Sequence, residues 1–310
     1  MTTFSVIVPV YNGEKYIKET LDSIIKTTTD FDTEIIVVND GSTDRTREVL
    51  GKFERVIVLI DQDNLGEASA VNCGISASKG EFGLIVSADD PLLSSSLFSE
   101  AIKIFKNEPD CLAVYPNWQM INDHGLVLKY VICSEFSTEE MIGQFKCLPG
   151  PGTIFRLPFA KQINGRNTTY KFTSDYDFWL RLSQFGYFQH IPQNLAQWRH
   201  HSDSTSINSR GIKMAHERIS VITNFLNDFP QDKHLAKQAL ASAYYNAALL
   251  AFFNKGIPGR KWMLHAIKIK RGWVKGSRII IVTYLLLLPW SRYLYKILEI
   301  SKTNTMIRHK

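Results

Sequence analysis

Short apolar runs recur along the first third of the chain, and each is continuous rather than alternating. Phe4 to Val10 (FSVIVPV), Glu34 to Asn39 (EIIVVN), Arg55 to Ile60 (RVIVLI) and Phe82 to Ser87 (FGLIVS) read as strands buried on both faces. Between them, Glu14 to Lys26, Asp44 to Phe53 and Gly66 to Ser78 carry helical spacing. The resulting β-α-β-α-β-α-β order predicts an α/β sandwich around a mainly parallel sheet with right-handed crossovers. Ligands of such sheets bind beyond the carboxyl ends of the strands, so the residues just after each run are the place to look for chemistry.

Further along the pattern is mixed. Ser96 to Asn107 reads as a helix, and Leu112 to Tyr115 and Leu126 to Ile132 read as strands. Leu148-Pro149-Gly150-Pro151-Gly152 marks a loop, and Asp175 to Phe185 is a helix stopped at Gly186. From about Met214 the chain is helical. Leu235 to Phe253 is Ala-rich, Lys255 to Gly259 breaks it, and Arg260 to Lys270 returns as the second arm of a hairpin. We therefore expect an α/β domain over residues 1–212 and a helical region over 213–310. The uncharged run Ile279 to Ser291, bracketed by Arg278 and Arg292, has 13 residues. A spanning helix needs about 20, so no transmembrane helix is expected. A buried helix and an interfacial one are both open, and Trp273, Tyr284, Trp290, Tyr293 and Tyr295 favour the interface.

Composition narrows the picture in two respects. With 45% hydrophobic residues in 310, the chain has material for a packed core, which excludes a disordered tail. Cys73, Cys111, Cys133 and Cys147 stand apart without a C-x-x-C pair, and the N-terminus has no basic n-region. A cytoplasmic, reducing location is the expectation. The net charge of +6 hides an asymmetry: residues 255–310 hold 13 Lys or Arg and one acid, Glu299, against a balance of −6 elsewhere. A basic tail on an acidic body suits an anionic membrane surface, as a peripheral protein would meet it on the inner face, rather than nucleic acid.

The strand ends carry the candidate chemistry. After the first strand comes Pro9-Val10-Tyr11-Asn12-Gly13, whose backbone can bond a base while Tyr11 packs on it. After the second comes Asn39-Asp40-Gly41-Ser42-Thr43-Asp44, with Asp40 able to accept from a base N–H. The third leads through Asp63-Asn64-Leu65-Gly66 to Asn72, making Asn64, Gly66 and Asn72 further candidates. The fourth ends in Ser87-Ala88-Asp89-Asp90, where adjacent carboxylates invite a divalent cation shared with substrate phosphate. Each motif alone also reads as a turn or cap. Four at consecutive ends of one sheet share one crevice.

Together P-V-Y-N-G-E, V-V-N-D-G-S-T-D, N-L-G-E-A-S-A-V-N and S-A-D-D resemble the family 2 glycosyltransferases of the GT-A fold. D-Y-D-F-W-L-R-L at Asp175 to Leu182 and R-H-H-S-D-S-T-S at Arg199 to Ser206 extend the resemblance, which covers roughly residues 4–206. It implies inverting transfer of a sugar from a nucleotide-diphosphate donor, a UDP-sugar first of all, to the hydroxyl of a glycan or lipid-linked acceptor. It implies a base pocket of Pro9, Tyr11, Asn12 and Asp40, and a D-x-D segment of Ser87, Ala88 and Asp89. Asp89 would hold Mg²⁺ or Mn²⁺, aided by Asp90 or His201. Asp175 would be the catalytic base, and Arg199, His201 and Ser204 would lie on a loop closing over the donor. Cell-surface polysaccharide or lipid-linked glycan synthesis is the implied setting.

Two positions depart from the family pattern: Ser87 replaces the first acid of D-x-D, and Ser174 the first acid of the E-D pair. They are the only support for the alternative, a non-catalytic nucleotide-sugar-binding protein that keeps the fold. A dehydrogenase would need G-x-G-x-x-G and a P-loop enzyme G-x-x-x-x-G-K-[ST], and the chain has neither. A sugar-phosphate nucleotidyltransferase would need a Gly-rich, Arg-containing loop where P-V-Y-N-G-E stands.

Overall fold

The computed structural model describes residues 3–147, 149–201, 211–253 and 258–269. The chain forms two compact units, Met1–Met141 with Lys146–Asn208, and Ile142–Phe145 with Ser209–Lys310.

The first unit is an α/β fold on one eight-stranded mixed sheet. β1 (Phe4–Val10) is buried along its whole length and pairs in parallel with β2 (Thr33–Asp40) and β4 (Phe82–Ile85). β2 pairs in parallel with β3 (Val58–Gln62). Because these four strands run one way, the loops after Val10, Asp40, Gln62 and Ile85 leave the same sheet edge. The crossovers are α1 (Ile17–Thr28), α2 (Thr46–Gly51) and α3 (Glu67–Ala77). One face of β1 presents Phe4, Val6 and Val8 to Ile17, Leu21 and Ile24 of α1 and to Leu97, Phe98 and Ala101 of α4 (Ser96–Asn107). On the other face α3 sits so close that a Cβ on Gly74 would collide with Ile7. Removing any one of these large aliphatic side chains would cost about 2–5 kcal/mol.

The third strand differs from expectation. The run Arg55 to Ile60 predicts a strand covered on both faces, but β3 begins three residues later and is the sheet's edge, with Val58 48% exposed. At the edge it is only partly covered: Leu59 and Ile60 pack against core clusters on opposite faces, while Val58 and Asp61 stay exposed.

Beyond β4 the sheet turns antiparallel through β7 (Ile154–Arg156) to β5 (Cys111–Ile121) and β6 (Val127–Val131). β8 (Tyr187–Arg199) runs parallel along β5 with register shifts at Pro116 and Asn117. The helices of this half are α5 (Thr138–Gln144), α6 (Leu157–Gln162) and α7 (Ser174–Leu182). α7 begins at its acidic turn, Asp175 and Asp177, and buries Phe178, Trp179 and Leu182.

The second unit is helical: α8 (Ile212–Asp228), α9 (Lys233–Phe253) and α10 (Pro258–Ile269). Small residues Ala215, Ala247, Ala248 and Ala251 form a seam closed by Trp262 and Met263, so the helices approach closely and the Ala-rich composition of α9 is a packing requirement. Rings of His216 and Trp262 meet at 4.8 Å, as do Tyr244 and His265. Among the described residues no helix is long and apolar enough to cross a membrane. The run Ile279 to Ser291, its flanking aromatics and most of the basic tail lie outside the described residues, as does Ser204.

Candidate active site

The loops after β1 and β2 are stitched into one wall. Asn12 adopts left-handed backbone (φ 51°), which a short amide side chain tolerates. Its N–H donates to Ser42 Oγ at 2.9 Å, and its Oδ1 accepts from the Thr43 N–H at 2.8 Å. Gly13 N–H donates to Thr46 Oγ1, Glu14 N–H to Asp44 Oδ2, and Arg45 N–H to Glu14 Oε2. Burial pushes the Asp44 carboxyl up, but hydrogen bonds from Thr46 and the Glu14 N–H outweigh it and hold the group below its ordinary range. The Asn12 side chain is thus spent on joining loops, while Tyr11 is 50% exposed.

Asp40 is buried and shapes the next loop. Its carboxylate accepts from Gln62 Nε2 at 2.7 Å and from the N–H groups of Leu65 and Gly66, each at 2.9 Å. Asn64 is exposed, and Gly66, at φ 92°, opens α3. Asn72 lies two turns further along α3, where its amide bonds both the backbone N–H and C=O of Arg166.

After β4 the two adjacent aspartates separate. Asp90 turns inward, accepts the Arg199 N–H at 2.7 Å, and is buried. Dehydration and the neighbouring Asp89 charge push its carboxyl well up; the Arg199 and Ser87 bonds oppose this. Asp89 turns the other way, with Oδ2 2.7 Å from His201 Nε2. These two residues, 112 apart in sequence, form the pair expected at a cation. Ser87 is exposed, and the Ala88 carbonyl accepts from Thr20 Oγ1.

Arg199, expected on the loop over the donor, is buried at its base. It is 1% exposed, and its guanidinium donates to the carbonyls of Asp89, Asn122 and Asp123 and to Glu19 Oε2, while lying 4.8 Å over the Tyr16 ring. Its bonds are with the protein. It fixes the Asp89 backbone and delivers His201, whose ring packs 5.1 Å from Tyr16.

Asp175 stands in the first turn of α7, open to water yet crowded by protein. Crowding raises its carboxyl above the ordinary range, while the Arg166 guanidinium and the Tyr176 N–H pull it down. Arg166 in turn pairs with Glu67 at 2.7 Å at the head of α3. Since α3 starts from the carboxyl end of β3, this cluster belongs to the same sheet edge as Asp89. Arg166, Glu67, Tyr16 and Glu19 were not singled out in the sequence. The Asn164-Gly165 dipeptide signals a turn there, but not which side chain the turn delivers.

Among the described residues no three His, Cys, Asp or Glu side chains gather around one point. The Asp89–His201 pair nonetheless fits a divalent cation, since a carboxylate oxygen and an imidazole nitrogen converge and the diphosphate and water can supply the other ligands.

Parallel strands whose loops leave one sheet edge, with an acid–imidazole pair after the fourth, define an α/β fold with a candidate active site at that edge. The family described as Glycosyl transferase family 2 matches residues 5–181, more than half of the chain, and the protein belongs to that family. It is similar to the hyaluronan synthase of Pasteurella multocida, 29% identical over 227 residues, covering 72% of this chain and 23% of that synthase. The chain thus spans less than a quarter of that relative's length. Its fold is that of S. aureus TarS 1–349 in complex with UDP-GlcNAc, with TM-score 0.65, 18% identity, and 94% and 87% of the two chains covered. The mannosyltransferase PcManGT from Pyrobaculum calidifontis, in complex with GDP-Man and Mn2+, has TM-score 0.57 and 18% identity, with 91% and 83% covered.

Proposed function

We propose that the chain is an inverting, divalent-dependent glycosyltransferase that moves a sugar from a UDP-sugar to a hydroxyl of a growing glycan or lipid-linked acceptor. Residues 1–212 form the catalytic domain; residues 213–310 hold it against an anionic membrane surface. The observation that carries this reading is the contact between Asp89, just after β4, and His201, with a second carboxylate, Asp175, standing exposed in the first turn of α7. Transfer needs both an electrophilic handle on the diphosphate and a base on the opposite face.

Pro9, Tyr11, Asn12 and Asp40 would form the base pocket, directly or, for Asn12 and Asp40, by fixing the loops that line it. Asn64, Gly66 and Asn72 would shape the donor's next wall, while Ser87 and Ala88 would lie along the diphosphate. Asp89 and His201 would hold Mg²⁺ or Mn²⁺, which when bound stabilises the charge developing on the departing diphosphate. Asp175 takes the acceptor hydroxyl proton as that oxygen attacks the anomeric carbon opposite the leaving group, inverting the centre. Arg199 and Ser204 would complete the loop over the donor, Arg199 by anchoring it. The UDP-GlcNAc-bound TarS fold supports the donor class, the PcManGT fold with Mn2+ the cation, and the hyaluronan synthase relationship the glycan setting.

A thermal-shift series with UDP- and GDP-sugars, with and without Mn²⁺, tests the reading, because a ligand of the folded state raises apparent stability. A UDP-sugar should stabilise wild type in a cation-dependent manner and leave Asp89→Asn unmoved at an unchanged baseline. An equal shift in both proteins would remove Asp89 from the cation site.

A further inference from the structure

The start of α1 faces the segment that follows β4. Tyr16, just before the helix, and Glu19 and Thr20 in its first turn are spaced i, i+3 and i+4, so they share one side. Thr20 Oγ1 donates to the Ala88 carbonyl at 2.9 Å, and Glu19 Oε2 accepts from Arg199 at 2.8 Å. Tyr16 is placed by the loop after β1. Its N–H donates to the Gly13 carbonyl at 3.1 Å, and its own carbonyl accepts the Thr20 N–H at 3.1 Å. Unlike Tyr11 on the same loop, Tyr16 is buried.

Three nitrogen-bearing side chains surround the Tyr16 ring. The Lys15 ammonium lies 4.6 Å over its centroid and the Arg199 guanidinium 4.8 Å over it, while the His201 ring is 5.1 Å away and tilted by 45°. All three meet the ring, whose electron-rich face attracts the cations and gives the imidazole a packing surface. Arg199 has four guanidinium hydrogen bonds to hold it besides. His201 stands two residues past the end of β8, with Nε2 2.7 Å from Asp89 Oδ2. An imidazole beyond a strand end has two side-chain torsions to fix, and a ring packed against it removes part of that freedom before any ligand arrives.

We propose that Tyr16 is a positioning residue for the cation pair: its ring, braced by Arg199, holds the His201 imidazole beside Asp89, so that both ligands are oriented before the metal binds. The inference deepens the proposed function and rests on Asp89 and His201 being the ligands. It gives Tyr16 no contact with substrate. Side chains that orient metal ligands are typically worth about 10–100-fold in metal affinity, because a ligand already oriented loses less freedom on binding.

Two substitutions separate the ring from the rest of the side chain. Tyr16→Met removes the ring but keeps an apolar chain to fill the space, whereas Tyr16→Phe keeps the ring and deletes the hydroxyl. The first readout needs no metal: the ring C–H resonances of the full chain labelled at histidine, with the His201 signal assigned by its loss in His201→Gln. In Tyr16→Met that signal should move toward the position of a solvent-exposed histidine, because the Tyr16 ring current is gone. The His190 signal, from β8 of the same unit, should stay in place, and Tyr16→Phe should keep both. The second readout is Mn²⁺ affinity in the presence of UDP, followed by the EPR signal of free Mn²⁺. It should weaken about tenfold or more in Tyr16→Met, weaken in Asp89→Asn, and stay near wild type in Tyr16→Phe. An unmoved His201 signal or an unchanged Mn²⁺ affinity in folded Tyr16→Met overturns the proposal. So does loss of either property in Tyr16→Phe, which decides the matter even where Tyr16→Met does not fold. Wild-type Mn²⁺ affinity in Asp89→Asn instead removes the cation reading, while the His201 signal still judges whether Tyr16 holds that imidazole.

Discussion

Replacing Arg199 by methionine removes a buried cation while filling most of its aliphatic volume. Four guanidinium hydrogen bonds disappear: those to the carbonyls of Asp89, Asn122 and Asp123, and that to Glu19. Glu19 is half exposed and rehydrates, so its ion pair contributes little. The cost comes from the three carbonyls, each an acceptor worth about 1–3 kcal/mol when left unmet, and from the lost contact over Tyr16. Waters will recover part of it, and removing one side of a buried charged network costs about 3–5 kcal/mol overall. Against a typical total of about 5–15 kcal/mol, Arg199→Met should remain folded but with a much lower urea midpoint. The Asp90 bond to the Arg199 backbone N–H survives, whereas the Asp89 backbone and His201 lose their anchor. Cation-dependent donor binding should therefore weaken at least tenfold, with Arg199→Lys intermediate. A stability loss below about 1 kcal/mol with intact donor binding would refute the anchoring role.

Asp44→Ala removes bonds to Thr46 and to the Glu14 N–H, and should cost about 1–2 kcal/mol at neutral pH. The folded carboxyl lies below its unfolded value, so its contribution is complete above the unfolded value near 4 and fades as pH falls through the folded one. Urea midpoints of wild type and variant should converge in acid; a constant gap would mean the charge is irrelevant. For the basic tail, the full chain should float with anionic vesicles at low salt and less so as salt rises, each contacting Lys or Arg being worth about 1 kcal/mol. Failure to float at low salt would withdraw the membrane proposal.

Much of the first unit is legible in the chain because full burial writes an unbroken apolar run. β1 and α4 fall on the residues the pattern names. β3 is displaced because Arg55 to Ile57, which look like strand, belong to the turn after α2, where the Val56 and Ile57 N–H groups donate to the Phe53 carbonyl, and the ladder with β2 starts at Val58. β8 escapes notice because its register shifts break the two-residue period along YFQHIPQNLAQWR, and β5 continues through Pro116 where a strand would be expected to stop. β7, with three residues, is too short to carry a period. At the site, topology alone brings the strand-end motifs together, and Asp89 meets His201 as expected. The division of labour between Asp89 and Asp90 is not legible, since adjacent acids differ only in which way the turn points them. The same holds for Arg166, whose place depends on left-handed Asn164 and Gly165 and on Asn72.

The central claim is that Asp175 takes the acceptor's proton. Asp175→Asn keeps the side chain's shape but cannot serve as a base, so kcat should fall by about 10²-fold or more while donor affinity and its cation dependence persist. Transfer at a near wild-type rate, or a parallel loss of donor affinity, would contradict it.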